Sequence, residues 1–254
     1  MANITEIAPD VFRISNYVSA GGMQFNLFLV RDDEPLLYHT LQKALFKDSL
    51  DAVRSLIDVE QLRWIGFSHY EADECGALNE WLQVAPKATA IAGVLAAAIG
   101  INNQAIRPPK VLEDDAVLTT GRHRLRFLVT PYVPHSWESS LLYDETAHTL
   151  FCSDLLAQHG DPAALRDDVL PAAIANLKAG QSTPFHDSIP YTRTTSSVFK
   201  RLIGLRPETL AIMHGGSYRG DGAEILRLYH EQIRDMLMPS RDEALQPAAE
   251  SSPA

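Results

Sequence analysis

The chain runs twice through the same order of patterns, a group of short apolar strands followed by helical stretches, and that duplication restricts it to a few layered architectures. In the first half Val11-Phe12-Arg13-Ile14, Phe25 to Val30 and Leu36-Leu37-Tyr38-His39-Thr40 read as strands, with Gly21-Gly22 and Asp32-Asp33-Glu34-Pro35 as turns. From Leu41 to Val59 the apolar residues Leu45, Leu50, Val53, Leu56 and Ile57 recur at helical spacing. A buried strand from Leu62 to Ser68 follows, then a helix beginning near Asp73 or Glu74 that turns Leu78, Trp81 and Leu82 inward. A short strand near Ala88 to Ala92 and a short helix close the half.

The second half repeats this logic with strands at Lys110 to Val117, Arg124 to Val129, Ser139 to Tyr143 and His148 to Cys152, the last two joined by Asp144-Glu145-Thr146-Ala147. After Asp154 the pattern is helical or irregular as far as Gly204, with Ser196 to Ile203 the clearest helix. Leu210 to Met213 is a strand leading into His214-Gly215-Gly216, and Glu224 to Met238 is a final amphipathic helix. The expected fold is of the α/β (α+β) class: two β-sheets packed face to face with helices outside, as one domain over residues 1–239. The tail, residues 240–254, is rich in Ala, Pro, Ser and Glu and is expected to be disordered.

A formal charge of −10 disfavours nucleic acid and anionic membrane surfaces, both of which need clustered Lys and Arg. Two cysteines, Cys75 and Cys152, are too few for a disulfide framework, and the first residues carry no basic and apolar leader, so a cytoplasmic protein is expected. The longest apolar stretch, Ile91 to Ile101, contains two glycines and is too short to cross a hydrocarbon core of about 30 Å.

The chemistry concentrates where strands end. The apolar strand at 62–68 breaks directly into His69-Tyr70-Glu71-Ala72-Asp73-Glu74, an imidazole and three carboxylates in one strand-to-helix loop. Acidic residues ahead of a helix also serve as caps, so this segment alone does not define a site. Three further strand ends each present a side chain of metal-ligand type: His135 in Pro131-Tyr132-Val133-Pro134-His135, Asp154 in Phe151-Cys152-Ser153-Asp154, and His214.

In this order and context the motifs resemble the metallo-β-lactamase superfamily, and within it the oxygen-binding di-iron domain of flavodiiron proteins, from about Pro9 to Met238. The signature there is H-x-E-x-D-H, where zinc hydrolases carry H-x-H-x-D-H, and this chain reads His69-Tyr70-Glu71-Ala72-Asp73-Glu74. The resemblance implies a four-layer αββα sandwich in which His69, Glu71 and His135 bind one metal, Asp73 and His214 the other, and Asp154 bridges them. Glu74 stands where the family has a histidine and is a candidate seventh ligand. Tyr70, Tyr132, Trp137 and Tyr191 are candidate pocket walls, and His159 and His186 candidate supporting groups. An oxygen-rich donor set favours iron over zinc, with manganese also suited.

The resemblance further implies binding or reduction of O2 or NO. No flavin mononucleotide site is expected within this chain, so reduction would draw on a separate flavin or flavodoxin-type donor. A stand-alone oxygen sensor or carrier and a dinuclear metal-dependent hydrolase are the alternatives, and the resemblance also suggests a homodimer.

Overall fold

The computed structural model describes residues 2–238; the expected disordered tail lies outside the described residues. Strands β1 (Asn3–Ala8), β2 (Val11–Val18), β3 (Met23–Val30) and β4 (Leu36–Tyr38) form an antiparallel meander. Helix α1 (Phe46–Arg54) then carries the chain to β5 (Trp64–Gly66), which lies parallel to β4. Two short helices, α2 (Ala72–Cys75) and α3 (Leu78–Val84), lead to the parallel strand β6 (Thr89–Gly93). A helical segment with a π turn at Ala97–Ile101 precedes β7 (Lys110–Leu112), and the first sheet runs in strict sequence order from β1 to β7.

The second sheet has the order β13-β12-β11-β10-β9-β8, built from β8 (Val117–Thr119), β9 (Arg124–Val129), β10 (Ser140–Asp144), β11 (Thr149–Ser153), β12 (Thr209–Ile212) and β13 (Tyr218–Arg219). Between β11 and β12, which are parallel, lie α4 (Val169–Gly180) and α5 (Thr195–Gly204), and α6 (Gly222–Leu237) ends the described chain. Each sheet is therefore an antiparallel meander extended by a helical crossover to a parallel strand.

The period-2 alternation of the strands explains the layering, because the central strands are largely apolar on both faces. Leu27 and Leu29 of β3 point to α1 and α3, while Phe28 and Val30 point to the other sheet. In β11, Leu150 and Cys152 face the outer helices and Phe151 faces inward. Phe28, Tyr38 and Phe151 meet between the sheets, with ring centroids 5.6 Å apart for Phe28–Phe151 and 5.2 Å for Tyr38–Phe151. Three apolar layers thus separate four layers of secondary structure in the expected αββα order, and each such buried side chain contributes about 1.5–3 kcal/mol.

Several expected elements are corrected. The single strand at Lys110 to Val117 is two strands in different sheets, because Glu113-Asp114-Asp115 turns the chain, with Asp115 at φ +63° and Asp114 accepting the Val129 amide. The helix expected from Leu41 starts only at Phe46, since Leu41 is left-handed at φ +60°. Strand β1 is not signalled by the sequence pattern, because Asn3, Thr5 and Glu6 mask its alternation on an edge. Among the described residues no helix is long and apolar enough to cross a membrane.

One polar pair is built into the second sheet. His123 Nδ1 lies 2.6 Å from Asp144 Oδ2, with both side chains buried, and the other Asp144 oxygen accepts the Thr146 amide of the β10–β11 turn. The Asp144 carboxylate raises the His123 pKa above the ordinary imidazole value, against the opposing effect of burial. A raised histidine pKa means stability that is fully present below about pH 6.5 and is lost as pH rises through the folded value. Breaking a buried ionic pair costs about 3–5 kcal/mol. His123→Gln is therefore expected to lower the unfolding free energy by about that amount at pH 6, with the gap to wild type narrowing at alkaline pH in denaturant titrations.

Candidate metal centre

The centre forms where the C-terminal ends of β5, β11 and β12 reach one rim of the sandwich. Past β5 the chain is clasped to the second sheet: the Ser140 amide donates to Ser68 O at 2.8 Å, and Ser68 Oγ lies 2.7 Å from Ser153 Oγ. His69 therefore leaves the strand fully buried between the sheets. The next turn is held by Glu138, a buried carboxylate whose Oε1 accepts the Tyr70 amide at 2.9 Å.

Glu71 caps α2, which places Asp73 and Glu74 in its single turn. The helix stops there because the Ala77 amide turns away to Leu41 O at 2.9 Å, and the Thr40 amide in turn holds Glu74 O at 2.8 Å. His135 stands in a loop stapled by Thr130 and Ser139, whose hydroxyls both donate to Val133 O. Asp154 follows Ser153, which is left-handed at φ +51°.

The His214 turn is fixed from behind. Its Nδ1 donates to Gln24 O at 3.1 Å, while Arg13 and Asn26 donate to Gly215 O at 2.9 and 2.8 Å. Gly215 is at φ +104°, and a Cβ there would lie 2.8 Å from Gln158 Cβ, so only glycine fits.

All seven sequence-predicted ligand candidates meet. His69 Nε2 and His135 Nε2 are 2.8 Å apart, and Asp154 Oδ2 lies 3.4 and 3.3 Å from them. Glu71 Oε1 is 3.2 Å from His135 Nε2 and 3.7 Å from His69 Nε2. On the other side His214 Nε2 is 3.0 Å from Asp154 Oδ1 and 3.3 Å from Asp73 Oδ2. Glu74 lies between the groups, its Oε2 3.7 Å from His69 Nε2, and it falls within ligand range both of His69 with Glu71 and of Asp73 with His214.

The charges are badly matched without a cation. Burial opposes ionisation of Asp154, yet His214, His69 and His135 hold its pKa well below the carboxylate range. Burial likewise opposes charge on His214, but Asp154 and Asp73 carry its pKa up to about 10. Glu71 is held at about 2 by His135 and His69. Glu74 alone gains no compensation: burial first, then Asp154 and Asp73, push its pKa well above the usual value. Both its oxygens are buried and meet no donor among the described residues, and only in its protonated form does it have a partner, Asp73. Such a carboxylate is expensive unless a cation meets it. Four carboxylates and three imidazoles whose remaining ring nitrogens are already engaged or backed by polar groups fit one or two metal ions.

The expected pocket walls fare differently. Tyr70 lines a cavity of about 300 Å³ together with Glu71, Cys75, Asn79 and Gln104. Tyr132 and Trp137 flank His135 in sequence and stand 41% and 53% exposed. The Tyr191 hydroxyl bonds Ser196 Oγ and His230 Nε2, both at 2.8 Å, and so clasps α5 to α6. His186 is an exposed residue paired with Asp187, because its loop lies on the surface. Glu138, Arg13, Asn26 and His39 were not singled out from sequence. The only signal for Glu138 is its place three residues after His135, and a lone buried His39 reads as packing.

Comparison with known proteins agrees with this architecture. The anaerobic nitric oxide reductase flavorubredoxin of Salmonella paratyphi B is 26% identical over 233 residues, covering 88% of this chain and 47% of that protein, so the chain spans about half the length of this relative. In structure, a metal-soaked Flv1 flavodiiron core from Synechocystis superposes with a TM-score of 0.74 at 21% identity, over 92% of this chain and 61% of that one. A fragment of the putative diflavin flavoprotein A 5 of Nostoc gives a TM-score of 0.76 at 15% identity, over 92% of this chain and 97% of the fragment. At these identities the superpositions speak for the fold, that of flavodiiron cores. Residues 23–215, which run from the start of β3 to the glycine after His214, match the family described as ODP family beta lactamase, and the chain belongs to that family.

Proposed function

We propose that residues 1–239 are one di-metal domain that holds two iron ions and binds or reduces O2 or NO. In this reading His69, Glu71 and His135 hold one ion, Asp73 and His214 the other, Asp154 bridges them, and Glu74 completes the second position. The observation that carries the reading is the two-sided placement of Asp154, whose Oδ2 faces His69 and His135 while its Oδ1 faces His214. A carboxylate presenting one oxygen to each of two donor groups is what a pair of adjacent cations requires.

Charge counting supports divalent ions. Glu71, Asp73, Glu74 and Asp154 carry four negative charges when ionised, which offset two divalent cations. The oxygen-rich set suits iron or manganese better than zinc. When bound, two adjacent ferrous ions supply one electron each to a diatomic ligand. The chain contributes geometry and charge: Asp154 sets the spacing, His69 from the interior and His135 from the rim fix the first position, and Gln24 O holds the His214 ring so that its Nε2 faces Asp73 and Asp154. Reduction would draw electrons from a flavin or flavodoxin-type donor.

Elemental analysis of protein purified without added metal or affinity tag tests the reading. About two irons per chain, with O2 or NO consumption when a reductant is supplied, is the expected result; reversible spectral change without consumption would favour a sensor or carrier. Zinc with ester hydrolysis and no diatomic chemistry would overturn the proposal. Asp154→Ala is expected to lose both metals, and Glu74→Ala at most the second. With metal removed by chelation the sign reverses for position 74. Glu74→Gln removes a buried, uncompensated carboxylate and should raise the unfolding free energy by about 1–3 kcal/mol, whereas added metal should raise the melting temperature of wild type more than that of the variant.

A further inference from the structure

Across the His69 ring from the carboxylates lies a buried polar cluster with no part in the ligand set. Nδ1 of His69 faces Ser68 Oγ at 3.0 Å, Ser68 Oγ lies 2.7 Å from Ser153 Oγ, and His39 Nε2 approaches the same Ser68 oxygen at 3.3 Å. All four residues are buried. His39 is held there by its amide, which donates to Gly66 O at 2.8 Å, and by its ring, whose centroid is 4.5 Å from that of Tyr38.

A serine hydroxyl has one hydrogen and two lone pairs, and Ser68 has three neighbours; His69 Nδ1 also lies 3.4 Å from Ser153 Oγ, a longer approach than its 3.0 Å to Ser68, so Ser68 is its principal partner and the protons follow from there. Burial keeps His39 neutral, its pKa lowered to about 3. Its Nδ1 has no partner among the described residues. A buried N–H without an acceptor is costlier than a bare lone pair, so the single ring proton belongs on Nε2 and points to Ser68. Ser68 then turns its own hydrogen to Ser153 and offers its second lone pair to His69. That acceptor draws the proton of His69 to Nδ1 and leaves Nε2 bare, on the side of His135, Glu71 and Asp154.

We propose that His39 is a positioning residue which, through Ser68, holds His69 in the one neutral tautomer able to bind a metal at Nε2. Without the His39 donor, the Ser68 hydrogen is free to turn to His69 Nδ1, which stabilises the opposite tautomer, with Nε2 blocked by a proton. The inference rests on the reading of His69 as a ligand, and its test separates the two.

The test uses the full chain, with three variants and two readouts. His39→Leu removes the donor, Ser68→Ala removes the relay, and His39→Gln returns an amide N–H close to where Nε2 lies. Because His39 sits at φ +69°, Ser68→Ala carries the test should His39→Leu fold poorly. In metal-free protein, nitrogen NMR of labelled histidines is expected to show His69 protonated at Nδ1 in wild type and His39→Gln, and a tautomer mixture in the other two. In Zn2+ titrations against a competing chelator, His39→Leu and Ser68→Ala should each weaken one site about 10–100-fold. The double substitution should cost no more than either alone, because both break one relay. A wild type that binds Zn2+ while the His69 tautomer is indifferent to His39 and Ser68, or additive losses in the double variant, would overturn the relay. A tautomer that depends on His39 in a chain that takes up no Zn2+ would instead uphold the relay and overturn the ligand reading.

Discussion

Repulsion among Glu71, Asp73, Glu74 and Asp154 is the constraint around which the rest of the molecule is arranged. Like charges a few ångströms apart in a partly dry site repel by several kcal/mol per pair, and the chain brings these four to one rim with only three imidazoles among them. Two sheets are needed to hold such a group, since no single strand end or helix turn presents ligands from opposite sides. The first sheet supplies His69 and, through α2, the three acidic residues that follow; the second supplies His135, Asp154 and His214. The apolar layers around Phe28, Tyr38 and Phe151 keep the two rims in register.

Holding them there takes backbone strain as well as packing. His39, Leu41, Tyr132, Ser136, Ser153 and Leu156 all have positive φ without being glycine, and all adjoin the ligand-bearing segments. Such conformations cost about 1–3 kcal/mol each and persist only where surrounding contacts over-determine them. Those contacts are visible: the His39 amide on Gly66 O, the Ala77 amide on Leu41 O, the Tyr132 amide on Ser136 O and the Gln158 side chain on Leu156 O. Buried polar side chains on β2 and β3, which look out of place in an apolar strand pattern, serve the rim rather than the core.

The layering was legible because it depends on periodicity alone. Strands such as Phe25 to Val30, apolar at every position but one, announce burial on both faces, and the change to helical spacing after Leu41 announces the crossover. Legible too was the list of ligand-type residues, gathered in the segments that follow strands. What was hidden depends on tertiary partners. The segment at Lys110 to Val117 alternates well enough for one strand, and only the Asp114 and Asp115 contacts to Arg201 and Val129 show that the chain changes sheets there. Tyr191 reads as a candidate pocket wall, and nothing local shows that His230, thirty-nine positions later, takes its hydroxyl. Nothing local marks Glu138 or His39 as different from any other buried polar residue.

Position 74 shows how one substitution changes the terms on which such a site exists. A histidine in that place can remain neutral when no metal is present, keeping one ring nitrogen as donor and one as acceptor. A glutamate there stays neutral only by taking up a proton, which burial and the neighbouring carboxylates favour. The same carboxylate, once ionised, brings the acidic charge at the rim to the value that two divalent ions neutralise. Under the proposed function the exchange shifts stability from the metal-free state towards the metal-bound one, and would tie the stability of this end of the sandwich to metal content more tightly than an imidazole would.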